Sequence, residues 1–229
     1  MSIESLKNRI LTIKKSLPPD VLLVAAAKTR TVEEVKTAII SGIKFIGYNY
    51  IQEAEQIRQL LNEWESQNTT DPVRWHLIGH LQRNKAKKAV NLFDMIETVD
   101  SLRIAEAINR HSLNAGKIMP ILIEINSGRE SNKTGVHPDE VISLVKEVAK
   151  LPNIKIQGLM TMGPRFGNPE DARPYFQLTR KIRDQLIQEK IEGTEIKYLS
   201  MGMSNSYRQA IEEGANIVRI GTRLFGERK

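Results

Sequence analysis

A closed parallel β/α barrel, preceded by one extra helix, is the fold this sequence predicts, and three observations predict it. Short β-rich runs recur about eight times, a helical stretch fills each gap, and 229 residues is a length that one such TIM barrel routinely occupies. An open doubly wound sheet is the main alternative, but it calls for a Gly-rich fingerprint after an early strand, and none is present. No Gly/Ser/Pro linker or composition shift breaks the series, so residues 1–229 read as a single domain.

The elements follow in order. MSIESLKNRILTIKKS is an amphipathic helix with Ile3, Leu6, Ile10 and Ile13 on one face, and it lacks the apolar core of a signal peptide. VLLVAAAK (21–28) is the first strand, apolar from Val21 to Ala27 and ended by Lys28. TVEEVKTAIISG is helical, opened by Thr31 as N-cap, carrying Val32, Val35, Ile39 and Ile40, and stopped by Gly42. KFIGYN (44–49), RWHLIG (74–79), MIETVD (95–100) and MPILIEIN (119–126) continue the strands. HPDEVISLVKEVAKLPN is a helix with Pro138 early and Pro152 past its end. IKIQGLMTM (154–162), IKYLSMG (196–202) and IVRIGT (217–222) complete the set.

Composition removes several function classes. Hydrophobic content of 40% and charged content of 27% are those of a globular chain, and no apolar run approaches the roughly 20 residues of a membrane span. A cytoplasmic location is expected. Cysteine is absent, which excludes disulfides, thiolate catalysis and Cys-ligated zinc. Of the four histidines only His76 and His80 are close in sequence, so no metal site is expected. The net charge of +7 favours anions. One dense basic cluster, Lys85, Lys87 and Lys88 in QRNKAKK, is either a solvated helical face or a contact for nucleic acid or protein.

In a barrel, functional groups collect at the C-terminal ends of strands. Lys28 stands at the first such end, where a lone lysine would ordinarily lie in water on its flexible stem. Arg219 shares a strand face with Ile217 and Gly221, and both faces of a barrel strand are covered, so its guanidinium requires a partner. That partner is either an internal carboxylate such as Glu124 or a ligand acceptor. Gly221 and Thr222 precede a short helical tail, and Gly202 and Ser204 lie at the start of another helix. Free N–H groups and hydroxyls there suit phosphate, which barrels commonly bind after strands seven and eight. Strands one and eight are neighbours in a closed barrel. A phosphate cradle, an arginine beside it and a lysine across the mouth together describe a site for pyridoxal 5′-phosphate (PLP). Partial desolvation and Arg219 would favour the neutral, nucleophilic form of Lys28.

AAAKTR, GYNYIQEA, WHLIGHLQRNK, EINSGRESNKTG, GLMTM, LSMGMSNSYRQAI and VRIGTRLFG, in this order from about Val21 to Gly226, resemble the pyridoxal phosphate homeostasis proteins, a family of single-domain, fold-type III cofactor binders. The resemblance implies that Lys28 forms a Schiff base with PLP, that Asn49 lies against the cofactor and that Arg219 meets the pyridine nitrogen. It also implies that Ser200 or Ser204, with Gly221 and Thr222, holds the phosphate. One departure is Tyr48, where the family usually has an acidic residue; by parity Tyr48 points away from the face of Phe45, Gly47 and Asn49.

An arginine at the pyridine nitrogen disfavours the proton that makes the ring a strong electron sink. The barrel half of alanine racemase is similar, but racemases of that fold draw a base from a second domain, and this sequence stops at GERK, a few residues past the last strand. The expectation is a PLP carrier acting in intracellular PLP homeostasis with little or no turnover, monomeric, with amino or keto acids and PLP-dependent apo-enzymes as candidate partners and neither membrane nor specific nucleic acid. A slow PLP enzyme such as an amino-acid racemase is the alternative.

Overall fold

The computed structural model describes residues 3–68, 71–130, 133–164 and 167–227. Within these, β1 (Leu22–Ala26), β2 (Phe45–Tyr48), β3 (Arg74–Leu77), β4 (Met95–Val99), β5 (Met119–Ile125), β6 (Ile154–Thr161), β7 (Thr194–Ser200) and β8 (Ile217–Ile220) pair in parallel and in chain order. β8 closes on β1 with Val24 opposite Arg219 and Ala25 opposite Ile220. Seven of the eight predicted runs contain their strand; β7 starts earlier than its run, at Thr194.

Helices α1 (Ile3–Ser16), α2 (Val32–Ile40), α3 (Ile51–Asn68), α4 (Ala86–Leu92), α5 (Leu102–Asn114), α6 (Val141–Val148), α7 (Arg173–Glu189), α8 (Tyr207–Glu212) and α9 (Thr222–Phe225) cover the barrel. Local chemistry sets their ends. Thr31 caps α2 in a capping box with Glu34, and a 3₁₀ turn beginning at Pro138 leads into α6. The extra helix α1 buries Leu6, Ile10 and Ile13, whereas Ile3, expected on the same face and the helix's first residue, is 65% exposed. Met1 and Ser2 of that predicted helix, Ser131 and Asn132 of EINSGRESNKTG, and the last two residues of GERK lie outside the described residues.

Strand alternation divides the apolar residues into two groups. Outward-facing positions join the helices in one large core that includes Leu23, Ala25, Ile46, Trp75, Ile123 and Val218. Inward-facing Val24, Ile78, Met95, Leu122, Met160 and Ile217 form a second cluster inside the barrel, with Phe45 and Tyr198 against it. This inner plug is the base on which the polar residues nearer the C-terminal ends of the strands rest. Among the described residues no helix is long and apolar enough to cross a membrane.

Candidate functional site

A polar network continues the interior above the apolar plug. Arg219 of β8 is 4% exposed; its Nη1 donates to Ser200 Oγ at 2.5 Å and its Nη2 to the Thr161 carbonyl at 2.8 Å. Ser200 Oγ in turn donates to Glu97 Oε2 at 2.5 Å, and that oxygen lies 3.8 Å from Arg219 Nη1. The other Glu97 oxygen meets His76 Nδ1 at 2.6 Å. β3, β4, β6, β7 and β8 are thereby tied across the barrel. Burial works to raise the Glu97 carboxyl, but the His76 hydrogen bond, the attraction of His76 and Arg219 and the Ser200 hydroxyl outweigh it and hold the group below the ordinary carboxylate range. Burial disfavours the charge on Arg219, while Glu97 and Glu124 support it.

This geometry corrects one expectation and locates a second residue. The carboxylate within ion-pair distance of Arg219 is Glu97, not Glu124; Glu124 Oε1 instead accepts from Thr134 Oγ1 at 2.8 Å. Ser200, expected as one of two alternatives at a phosphate, is fully buried and committed to Glu97 and Arg219. By parity with Tyr198 it faces the interior, below the loops. Glu97 was not singled out from the sequence, although an acidic residue inside the apolar run MIETV carries the same signal as Arg219 in IVRI. His76 is a buried member of the network at 3% exposure.

The rim is built from the loops after β1, β2, β7 and β8. Lys28 is half-buried in the turn after β1, with Nζ 5.7 Å from the centre of the Tyr50 ring. Thr29 takes a positive φ of 64°, and its N–H donates to Glu53 of α3, which fixes the turn from outside. Gly221 approaches the end of β1 so closely that an added Cβ would lie 3.1 Å from the Ala26 carbonyl oxygen. The Lys28 turn and the β8 loop are therefore adjacent. Ser204 Oγ accepts from the N–H groups of Gly221 (3.3 Å) and Arg223 (3.2 Å), joining the β7 loop to the start of α9. Ser204 lies in a turn ahead of α8, and the residue at that helix's N-cap position is Ser206. Thr222 is exposed at the first position of α9, and Asn49 is half-buried just past β2. The loops thus bring Lys28, Ser204, Gly221 and Thr222 to the β1–β8 side above Arg219, with Ser200 beneath them and Asn49 at the end of the adjacent strand.

Glu124 adds an inner acidic group: it is 2% exposed, and its Oε2 is a buried oxygen without a hydrogen-bond partner. Burial raises its carboxyl above the ordinary range against the Thr134 bond. Among the described residues no set of three or more His, Cys, Asp or Glu side chains is placed to hold a metal ion.

The chain matches the family model "Alanine racemase, N-terminal domain" over residues 1–229. It is 41% identical over 207 residues to the pyridoxal phosphate homeostasis protein of Aquifex aeolicus, covering 90% of this chain and 87% of that protein. With the human protein of the same name it shares 36% over 214 residues, covering 90% and 76%. The chain belongs to the pyridoxal phosphate homeostasis protein family. Among solved structures, PipY of Synechococcus elongatus PCC7942 with PLP bound superposes with a TM-score of 0.87 at 30% identity, over 96% of this chain and 100% of that one. Alanine racemase of Clostridium difficile 630 superposes with a TM-score of 0.79 at 19% identity over 98% of this chain and 56% of its own; the likeness is one of fold. In this homeostasis-family chain the departure at Tyr48 lies outside the barrel interior, as parity required: Tyr48 is fully buried and stacks on Trp75 with ring centroids 5.7 Å apart.

Proposed function

We propose that residues 1–229 form one barrel that holds and releases PLP in the cytoplasm, acting as a monomeric carrier with little or no turnover. The observation that carries this reading is the convergence of Lys28, the Ser204–Gly221–Thr222 loops and Arg219 at one side of the barrel mouth. The residues suit the group: a primary amine on a half-buried turn, hydroxyls and backbone amides next to a glycine packed tightly against Ala26, and an unpartnered Glu124 oxygen inside the barrel. PLP supplies an aldehyde that condenses reversibly with an amine and a phosphate that anchors it. Lys28 would bond the aldehyde, Asn49 would lie beside the ring, and Ser204, Gly221 and Thr222 would hold the phosphate. Ser200 would act from below by positioning Arg219 for the ring nitrogen. Arg219, with Glu97 as counter-charge, would present positive charge there and disfavour a proton at that nitrogen, which supports a holding role over carbanion chemistry. The relatives' shared name and the PLP-bound PipY support the same reading.

Absorbance spectroscopy tests it. The purified protein incubated with PLP should develop an imine band that Lys28→Ala abolishes; a band that survives the substitution refutes the role of Lys28. Exchange of an amino acid's α-proton with deuterated water at catalytic rates would replace the carrier by an enzyme.

A further inference from the structure

We propose that the cavity between the loops that follow β2 and β3 is a carboxylate subsite that takes a small α-amino acid beside Lys28. The inference deepens the proposed function and rests on its placing PLP at Lys28. The cavity encloses about 490 Å³ and is lined by Asn49, Tyr50, Gln52, His80, Gln82 and Lys85. Two contacts attach its β2 wall to the Lys28 turn: the Tyr50 ring under Lys28 Nζ, and Glu53, which receives the Thr29 N–H.

Charge selects the ligand. Lys88 is paired with Glu55 at 2.8 Å, and His80 lies 3.6 Å from Asp100. Lys85 is half-buried and forms no ion pair among the described residues, which leaves one uncompensated ammonium in the wall of a polar cavity. A carboxylate compensates it through a charge-assisted hydrogen bond, and the Asn49, Gln52 and Gln82 amides offer further donors. Adjacency to Lys28 selects the rest of the molecule, because only another primary amine can exchange with a lysine bonded to an aldehyde. In that exchange one C=N bond forms as the other breaks, the protons shed by the incoming nitrogen are taken up by the released lysine, and nothing is oxidised or reduced. α-Amino acids carry both groups one carbon apart.

The PLP-loaded protein and its Lys85→Gln variant are titrated with L-alanine and with ethylamine, at matched free-amine concentrations, while the absorbance band is followed. Lys85→Gln should load PLP as the wild type does, need about tenfold more alanine for the same spectral change, as loss of one charge-assisted bond implies, and respond unchanged to ethylamine. Equal alanine titrations for both proteins overturn the subsite. In parallel, saturation-transfer NMR of L-alanine with cofactor-free protein should give a signal that Lys85→Gln removes; its absence in the wild type also overturns the subsite. An alanine signal from a protein that takes up no PLP would sink the carrier reading and leave the carboxylate site standing.

Discussion

Replacing Glu97 by glutamine tests the network under the site. Glu97 is fully buried and accepts two short hydrogen bonds, from His76 at 2.6 Å and Ser200 at 2.5 Å, while facing the Arg219 charge at 3.8 Å. The amide is nearly isosteric, so no cavity forms. It retains one acceptor and turns an N–H₂ toward a neighbour that had been a donor, leaving Arg219 without its counter-ion. Losing one charge-assisted bond costs roughly 1.5–3 kcal/mol, and removing one partner of a buried ion pair costs about 3–5 kcal/mol in all. We expect a loss of about 3 kcal/mol, measured by urea denaturation of the cofactor-free protein with circular dichroism and the fluorescence of buried Trp75. Arg219→Met removes the other charge. Because the two groups share a network, the double variant should be less destabilised than the sum of the singles by about 1–3 kcal/mol. Since the Glu97 carboxyl is lowered on folding, its contribution is complete above the unfolded carboxylate pKa of about 4.3 and is lost as pH falls toward the folded value; Glu97→Gln should remove that acid-side loss. A glutamine variant within about 0.5 kcal/mol of wild type, or strictly additive singles, would refute the coupling.

Three further substitutions have definite signs. Tyr48→Phe should stabilise the protein by about 1 kcal/mol, because the Tyr48 hydroxyl is buried without a hydrogen-bond partner and the ring stack on Trp75 is retained; a lower denaturation midpoint would show that the hydroxyl is satisfied. Glu124 is raised on folding, so the stability it confers is present below the unfolded carboxylate pKa and is lost as pH rises through the folded one. Glu124→Gln should flatten that part of the stability–pH curve, and an unchanged slope would refute the assignment. Ser204→Ala should weaken PLP retention about five- to tenfold, the equivalent of one hydrogen bond, with a smaller effect on folding; equal retention would take Ser204 out of the cradle.

The barrel was legible because each strand is a short apolar run bounded by turn or helix signals, and period-two alternation correctly set Tyr48 on the face opposite Phe45 and Arg219 on the face of Ile217. The partner of Arg219 was harder to read. Strand parity says that a side chain points inward but not at what height, and height depends on barrel stagger. Glu124 and Glu97 are both inward acids; the register places Glu97 within 3.8 Å of Arg219 and gives Glu124 to Thr134, on the loop after β5. The same stagger sets Ser200 below the rim, although it ends its strand as Lys28 follows its own. The cavity at Lys85 had no sequence signature, since QRNKAKK reads equally well as a solvated basic face; it is formed by the loops that follow β2 and β3.

The distribution of order across the site bears on the choice between holding and turning over a ligand. Arg219, Ser200, Glu97 and His76 are each at most 4% exposed and cross-linked through the barrel, so whatever meets the guanidinium meets a preorganised charge. Lys28, by contrast, is half-buried at the rim, on a two-residue turn held from outside by Glu53. Catalysis on a substrate's α-carbon requires a base held as firmly as the floor. Retention and release require a fixed anchor and one bond that can open. The proposed carrier reading fits that combination: the charge that would meet the ring lies in the buried network, and the lysine that would bond the aldehyde stands at the rim.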